Sequence, residues 1–237
     1  MRTPKSPPPA NPPAKPPAAP PPVPGGRVPR RRVRRSDGEK SHREILRAAA
    51  DLASVDGLEG LTIASLAERV GLSKSGLFAH FRSKEELQLE TIGMASEIFH
   101  EEVLRPALAE PEGVRRLRAL VGGFLDHVRR GTFPGGCFFA SVSAEVDGHP
   151  GTLRDRIAAV HRAWTAQFEE GVAAAQARGE LSRGAEPAQV AFEVLSMLAG
   201  AHGSFLLHRD VGTFDRARRG VEFLLASYGA RRSKPSD

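Results

Sequence analysis

The chain has 237 residues, 40% apolar, 26% charged and 6% aromatic, with one cysteine, a net charge of +6 and a pI near 10.1. That is enough for one domain of ordinary size or two small ones tightly joined, and the lone Cys137 excludes an intrachain disulfide scaffold and cysteine-rich zinc modules. The charge is unevenly placed: residues 1–35 hold two Lys and seven Arg with no acid, leaving 25 basic against 28 acidic residues in the rest.

Thirteen of the 19 prolines fall within the first 29 residues, which therefore lack both apolar side chains to bury and many backbone donors. Residues 1–35 read as a disordered Pro/Arg-rich tail ending in Arg30-Arg31-Arg32-Val33-Arg34-Arg35, a solvated charge run or an arm for the DNA backbone. No signal-peptide stretch is visible near the N-terminus, and the most apolar run, Val190 to Leu207, contains Glu193 and His202. A cytoplasmic protein without a membrane partner is expected.

From Ser36 onward the apolar spacing is helical, which points to an all-α body. Ile45, Ala49 and Leu52, with Leu46 and Ala53 beside them, put a stripe on a first helix that Asp56-Gly57 stops. Short helices follow at about 63–70 and 74–80. Ser83-Lys84-Glu85-Glu86 has the form of a capping box and opens a longer helix carrying Leu87, Met94 and Ile98, with Pro106 near its end. Beyond Pro111, glycine and proline signals divide the chain into about five further helices.

Segment 62–81, TIASLAERVGLSKSGLFAHF, carries the functional signal. Thr62 can cap a helix that turns Ile63, Leu66 and Val70 inward, Gly71 suits a left-handed stop, and Ser73 can cap the next helix after a tight link. This is the helix-turn-helix pattern, whose second helix enters a major groove. Leu77 and Phe81 bury its inner face and leave Lys74, Ser75, Phe78 and His80 outside.

With the S-K-E-x-L run that ends at Leu87, this segment resembles the DNA-binding domain of TetR/AcrR-type bacterial transcriptional regulators, without a gap from about Arg43. The resemblance implies an N-terminal three-helix domain (36–86), a larger helical ligand-binding and dimerisation domain (87–231) and a short tail (232–237). It implies DNA contacts from Thr62, from Ser73, Lys74, Ser75 and Gly76 at the start of the recognition helix, from His80 at its groove-facing end, and from Lys84; Arg43 could reach a flanking phosphate. Phe78 replaces a more usual tyrosine and Gly76 a frequent threonine, which removes polar contacts and shifts weight to Lys74, Ser75 and His80.

The same resemblance places an effector inside the larger domain and makes the helix from Ser83 the lever to DNA. Segment 133–147 is similar to one subgroup's ligand domain. Phe99, Phe124, Phe138, Phe139, Trp164 and Phe168, with His127, His161 and Cys137, are expected near the pocket. Cys137, near a helix start, is either a sensor thiol or a small buried residue. Helices at about 187–208 and 214–230 are expected to pair in a dimer through Ala191, Leu195, Leu198, Ala199, His202 and Phe205, continued by Phe223, Leu224 and Tyr228. No nucleotide-binding, nucleophile-elbow or zinc motif is present, so no enzyme, metal or cofactor is expected. The partners expected are double-stranded DNA, an unidentified small-molecule effector and a second copy of the chain. The competing class is a DNA-binding architectural or assembly protein without small-molecule control.

Overall fold

Ile45, Leu46, Ala49, Ala50 and Ala53 are buried as the helical stripe requires, with Leu52 half-buried at its edge. They lie in α1 (Arg30–Gly60), the first of ten α-helices among the described residues of the computed structural model, which are 30–148 and 150–229 with side chains from 41 onward. The expected tail therefore lies outside the described residues up to 29, and the expected C-terminal tail lies outside them altogether. Arg30 to Arg35 prove helical, against the reading that ran the tail to residue 35. Arginine is a good helix former, and no proline follows Pro29 until Pro106.

Gly57, at φ 78°, breaks the helical path of α1 where the Asp56-Gly57 signal stands. Next come α2 (Ile63–Val70), α3 (Lys74–Phe78) and α4 (Lys84–Phe99). Ser83 caps α4 by accepting the Glu86 N–H at 3.0 Å, while the Glu86 carboxylate reaches back one residue further than a capping box requires, to Arg82 N–H at 2.5 Å. A π-helical turn, His100–Leu104, joins α4 to α5 (Arg105–Leu108). Pro106 has no N–H and crowds the carbonyl four residues back, so a wider turn carries the chain past it.

The larger domain contains α6 (Val114–Arg130), α7 (Phe138–Val146), α8 (Thr152–Ala177), α9 (Pro187–His208) and α10 (Gly212–Ser227). No strand occurs among the described residues; a lone bridge pairs Leu181 with Gly229. One continuous apolar core runs from Ile45 to Leu225, so the two domains share their packing.

The side of α9 that the protomer leaves exposed overlaps only in part with the predicted dimer face. Ala191, Leu198 and His202 are buried within the protomer. Of the predicted residues Ala199 and Phe223 of α10 are exposed, the latter at 80%, and Leu195 and Phe205 are half-buried; Phe192 at 65%, Ser196, Gly200 and Leu207 at 81% are exposed beside them. A helix apolar on both sides leaves periodicity unable to say which side the protomer takes.

Candidate DNA interface and ligand cavity

Local chemistry builds the helix-turn-helix. Thr62 and Ser65 exchange bonds at the start of α2: Ser65 N–H donates to Thr62 Oγ1 at 3.1 Å, and Thr62 N–H to Ser65 Oγ at 3.2 Å. Gly71, left-handed at φ 68°, donates to the carbonyls of Ala67 and Glu68 and ends the helix. Ser73 then caps α3 through Gly76 N–H at 3.1 Å. Leu66, Leu77 and Phe81 are buried, whereas Ile63 and Val70 are half-buried. Lys74 and Ser75 stand exposed, and Phe78, 58% exposed, gives α3 an apolar patch toward solvent. Hydroxyls, a cation and an aromatic face are what phosphate oxygens and thymine methyl groups accept.

Three of the predicted contacts sit differently. His80 follows the end of α3 and is half-buried, its ring 5.7 Å from His42 of α1, whose Nε2 lies 2.6 Å from Glu90. Its place is between α3 and α1, because a helix of one and a half turns ends before reaching it. Lys84 Nζ donates to the Glu59 carbonyl at 2.8 Å and to its carboxylate at 2.9 Å, tying the start of α4 to the end of α1. Arg43 pairs with Glu97 at 2.9 Å, about 20 Å along α4 from Lys84 at 1.5 Å per residue, and lines the groove beside the larger domain.

The junction between the domains is held chiefly by α7 and the loop before it. The Glu145 carboxylate accepts Leu58 N–H at 2.7 Å and Glu59 N–H at 2.5 Å, immediately after the Gly57 break. An anion there satisfies backbone donors just ahead of the helix-turn-helix. Gln88 of α4 donates to the Leu58 carbonyl at 2.6 Å, so α1, α4 and α7 meet at one turn. Gly135 N–H donates to Ser54 Oγ at 3.0 Å, and Arg47 donates to the Thr132 carbonyl while stacking over Phe133 at 5.0 Å.

Behind that junction lies an inner cavity of about 410 Å³. Phe99, Phe124, Cys137, Phe139, His161 and Trp164 line it as predicted; His127, Phe138 and Phe168 do not. The last three are fully buried core residues: Phe138 packs on Phe133 and Phe139, Phe168 meets the Trp164 ring at 4.9 Å, and His127 Nδ1 contacts Glu102 at 3.1 Å. Apolar content alone cannot separate cavity wall from core. Sequence reasoning missed Val160 and the Ala140, Ser143, Ala144 and Asp147 face of α7, and it placed Leu195, Leu198, Ala199 and His202 in the dimer face. A wider outer cavity of about 820 Å³ shares Phe99, Phe139, Val160 and Trp164 with the inner one and opens beside Arg43, Arg47 and the π-helical turn.

Burial pushes the Cys137 thiol up to about 11, overriding the Ala140 and Phe139 backbone donors at the start of α7, so the residue is a neutral wall group and a poor sensor. His202 Nε2 accepts Cys137 N–H at 3.0 Å. Burial lowers the proton affinity of His202, and a hydrogen bond to the Gly135 backbone pulls the other way. His127 is lowered by burial too, with Glu102 opposing. Glu102 also ends low: burial would raise it, but hydrogen bonds from Thr132 and His127 outweigh that.

A depressed histidine is protonated more readily when unfolded, so both rings cost stability as pH falls below their unfolded value of about 6.5. Urea midpoints should therefore drop between about pH 7.5 and about pH 5.5. His202→Gln, which keeps an acceptor for Cys137 N–H, should show a smaller drop. An equal drop in both proteins would place the dependence elsewhere.

A family model described as bacterial regulatory proteins, tetR family, matches residues 45–91, and one described as tetracyclin repressor-like, C-terminal domain, matches residues 113–221. The chain is 32% identical over 117 residues to the HTH-type transcriptional regulator TcmR of Streptomyces glaucescens, a stretch covering 47% of this chain and 50% of that protein. It is 46% identical over 43 residues to the tetracycline repressor protein class A from transposon 1721 of Escherichia coli, covering 18% of this chain and 20% of that protein. The matched stretch thus spans half or less of these relatives. Among solved structures, a TetR transcriptional regulator from Chloroflexus aurantiacus shares the fold at a TM-score of 0.76 and 24% identity, covering 82% of this chain and 98% of that one. AibR in complex with isovaleryl coenzyme A and operator DNA gives a TM-score of 0.63 at 25% identity, covering 80% and 98%. With the helix-turn-helix built by Thr62, Gly71 and Ser73 and a helical partner domain behind it, the chain belongs to the TetR family of DNA-binding, non-enzymatic transcriptional regulators.

Proposed function

We propose that the protein is a homodimeric, effector-responsive repressor acting on a palindromic operator in the cytoplasm. The observation that carries this reading is the double role of α7: one face lines the inner cavity, and Glu145 holds the turn that leads into the helix-turn-helix. An occupant that moves α7 moves Leu58 and Glu59 and, through Glu59, Lys84 at the head of α4. Two recognition helices must meet half-sites roughly 34–36 Å apart, so a small shift releases DNA. AibR, with its acyl thioester and operator, supports the pairing of effector and DNA on this fold, and the tetracycline repressor supports the negative sign.

Dimerisation rests on the exposed stripe of α9 and α10. By length and composition α9 could cross a membrane, with a mean hydropathy of 1.5. Its buried face already packs on α8 and α10, and the small Ser196 and Gly200 on the outer face permit a second copy to approach closely. At the other end of the chain, the five arginines from Arg30 to Arg35 supply cations for the DNA backbone.

The test is a gel shift on the DNA flanking the protein's own gene, at two salt concentrations with excess nonspecific competitor. A competitor-resistant complex supports the reading; a complex that competitor removes points to an architectural protein. Lys74→Ala should weaken the resistant complex by about 1–3 kcal/mol, roughly 5- to 150-fold in Kd, with unchanged thermal stability because the side chain is exposed. Undiminished affinity would remove α3 as the recognition helix.

A further inference from the structure

We propose that the inner cavity takes a neutral, planar, fused-ring aromatic molecule and discriminates against anions and flexible aliphatic chains. This rests on the effector-responsive reading above and adds the chemistry of the effector.

The walls decide the shape. Trp164 meets Phe99 edge-on at 5.1 Å and 88°, and Phe124 lies nearly parallel to Trp164 at 6.3 Å and 26°. Phe139 meets Phe99 at 6.1 Å and 85°. These rings come from α4, α6, α7 and α8, so the packing of four helices holds them, and they offer both faces and edges to a flat guest. A rigid ring system enters without losing rotors, whereas an alkyl chain must freeze several.

The charges decide the class. Asp147, His161 and His202 are the titratable oxygen and nitrogen groups of the lining, and neither lysine nor arginine is among its residues. His202 Nε2 is occupied in accepting Cys137 N–H, and Ser143 Oγ donates to the Phe139 carbonyl at 2.5 Å. An anion entering here would lose its hydration with no cation to replace it. Arg43 and Arg47 border the outer cavity instead, and both are engaged, with Glu97 at 2.9 Å and Asp51 at 3.2 Å. The exposed Asp147 and His161 leave the rim wet, which is where a hydroxyl or carbonyl substituent of the guest would sit.

Trp164 is the chain's one tryptophan, so its fluorescence reports on the cavity. The full-length protein is titrated with xanthone, xanthone carboxylate and dodecanol, read by fluorescence for the first two and by calorimetry for all three. Xanthone should bind saturably with quenching, and the other two at least about tenfold more weakly. Ala140→Phe, which fills the cavity from α7, should abolish xanthone binding in a protein that keeps its helical circular dichroism and a cooperative melt; Ala144→Phe serves the same purpose if the first variant does not fold. Carboxylate or dodecanol binding as tightly as xanthone overturns the chemical class while leaving the effector reading intact. Saturable binding of none of the three overturns the class and removes the support for the cavity as an effector site. Xanthone binding undiminished in a folded cavity-filling variant overturns the location.

Discussion

Phe223→Asp is expected to give a folded monomer that has lost at least about 100-fold in operator affinity. Phe223 is 80% exposed, so the protomer's core does not depend on it. Covering a phenylalanine side chain is worth about 1.5–3 kcal/mol per copy, and a two-fold interface counts it twice. Aspartate also places an unpaired charge in that interface. Half-sites then bind independently, and the gain from tethering the second recognition helix is lost. Light scattering should report a monomer at the wild-type melting temperature, and fluorescence anisotropy the weakened binding. A dimeric variant with full affinity would move the interface off α10, and Leu207→Asp, on the exposed face of α9, is the second probe.

Gly135→Ala is expected to cost about 2–4 kcal/mol and to weaken communication between cavity and operator. A Cβ built at Gly135 stands 1.8 Å from the Ser54 carbonyl oxygen and 2.4 Å from its carbon. Both are backbone atoms of the last turn of α1 before the Gly57 break, so no rotamer relieves the clash and the loop must lift from the helix. Lifting breaks the Gly135 N–H bond to Ser54 Oγ and disturbs Gly136, where a Cβ would stand 2.6 Å from His202 Nε2. Ser54→Ala removes that hydrogen bond and the one its hydroxyl donates to the Asp51 carbonyl at 2.8 Å, but brings no clash, and should cost about 1–2 kcal/mol. Gly122→Ala, inside α6 with no atom within 4 Å of its Cβ, should be neutral or stabilise by about 0.5–1 kcal/mol. Thermal melts order the three variants. The ligand concentration needed for operator release should rise only in Gly135→Ala, and a melting curve like wild type for that variant would mean the loop does not bear on α1.

On the proposed reading, α7 joins α4 in coupling the cavity to the helix-turn-helix. The resemblance makes the helix from Ser83 the lever, and α4 does reach from Lys84 beside Glu59 to Phe99 in the cavity wall. Yet Glu145 gives α7 a grip on the same turn, and nothing in its spacing announces it. A carboxylate three residues before the turn that starts at Gly148 reads as a solvent-facing helix residue until Leu58 and Glu59 are placed opposite it.

What the sequence determined by itself was local. Thr62, Gly71, Ser73 and Ser83 act through bonds to residues two to four positions away, so their roles as caps and stops follow from chemistry within one turn of chain. The helix-turn-helix, the all-α class and the inward turn of Leu66, Leu77 and Phe81 were legible for that reason. Tertiary structure alone decided whether an aromatic side chain lines a space or fills one: Phe124 and Phe138 are equally apolar, and only the helix packed opposite leaves a cavity beside the first. It likewise turned Ala191 inward and Phe192 outward on α9, drew Arg43 to Glu97 and set His80 against His42, since each depends on partners tens of residues away that spacing along one helix cannot specify.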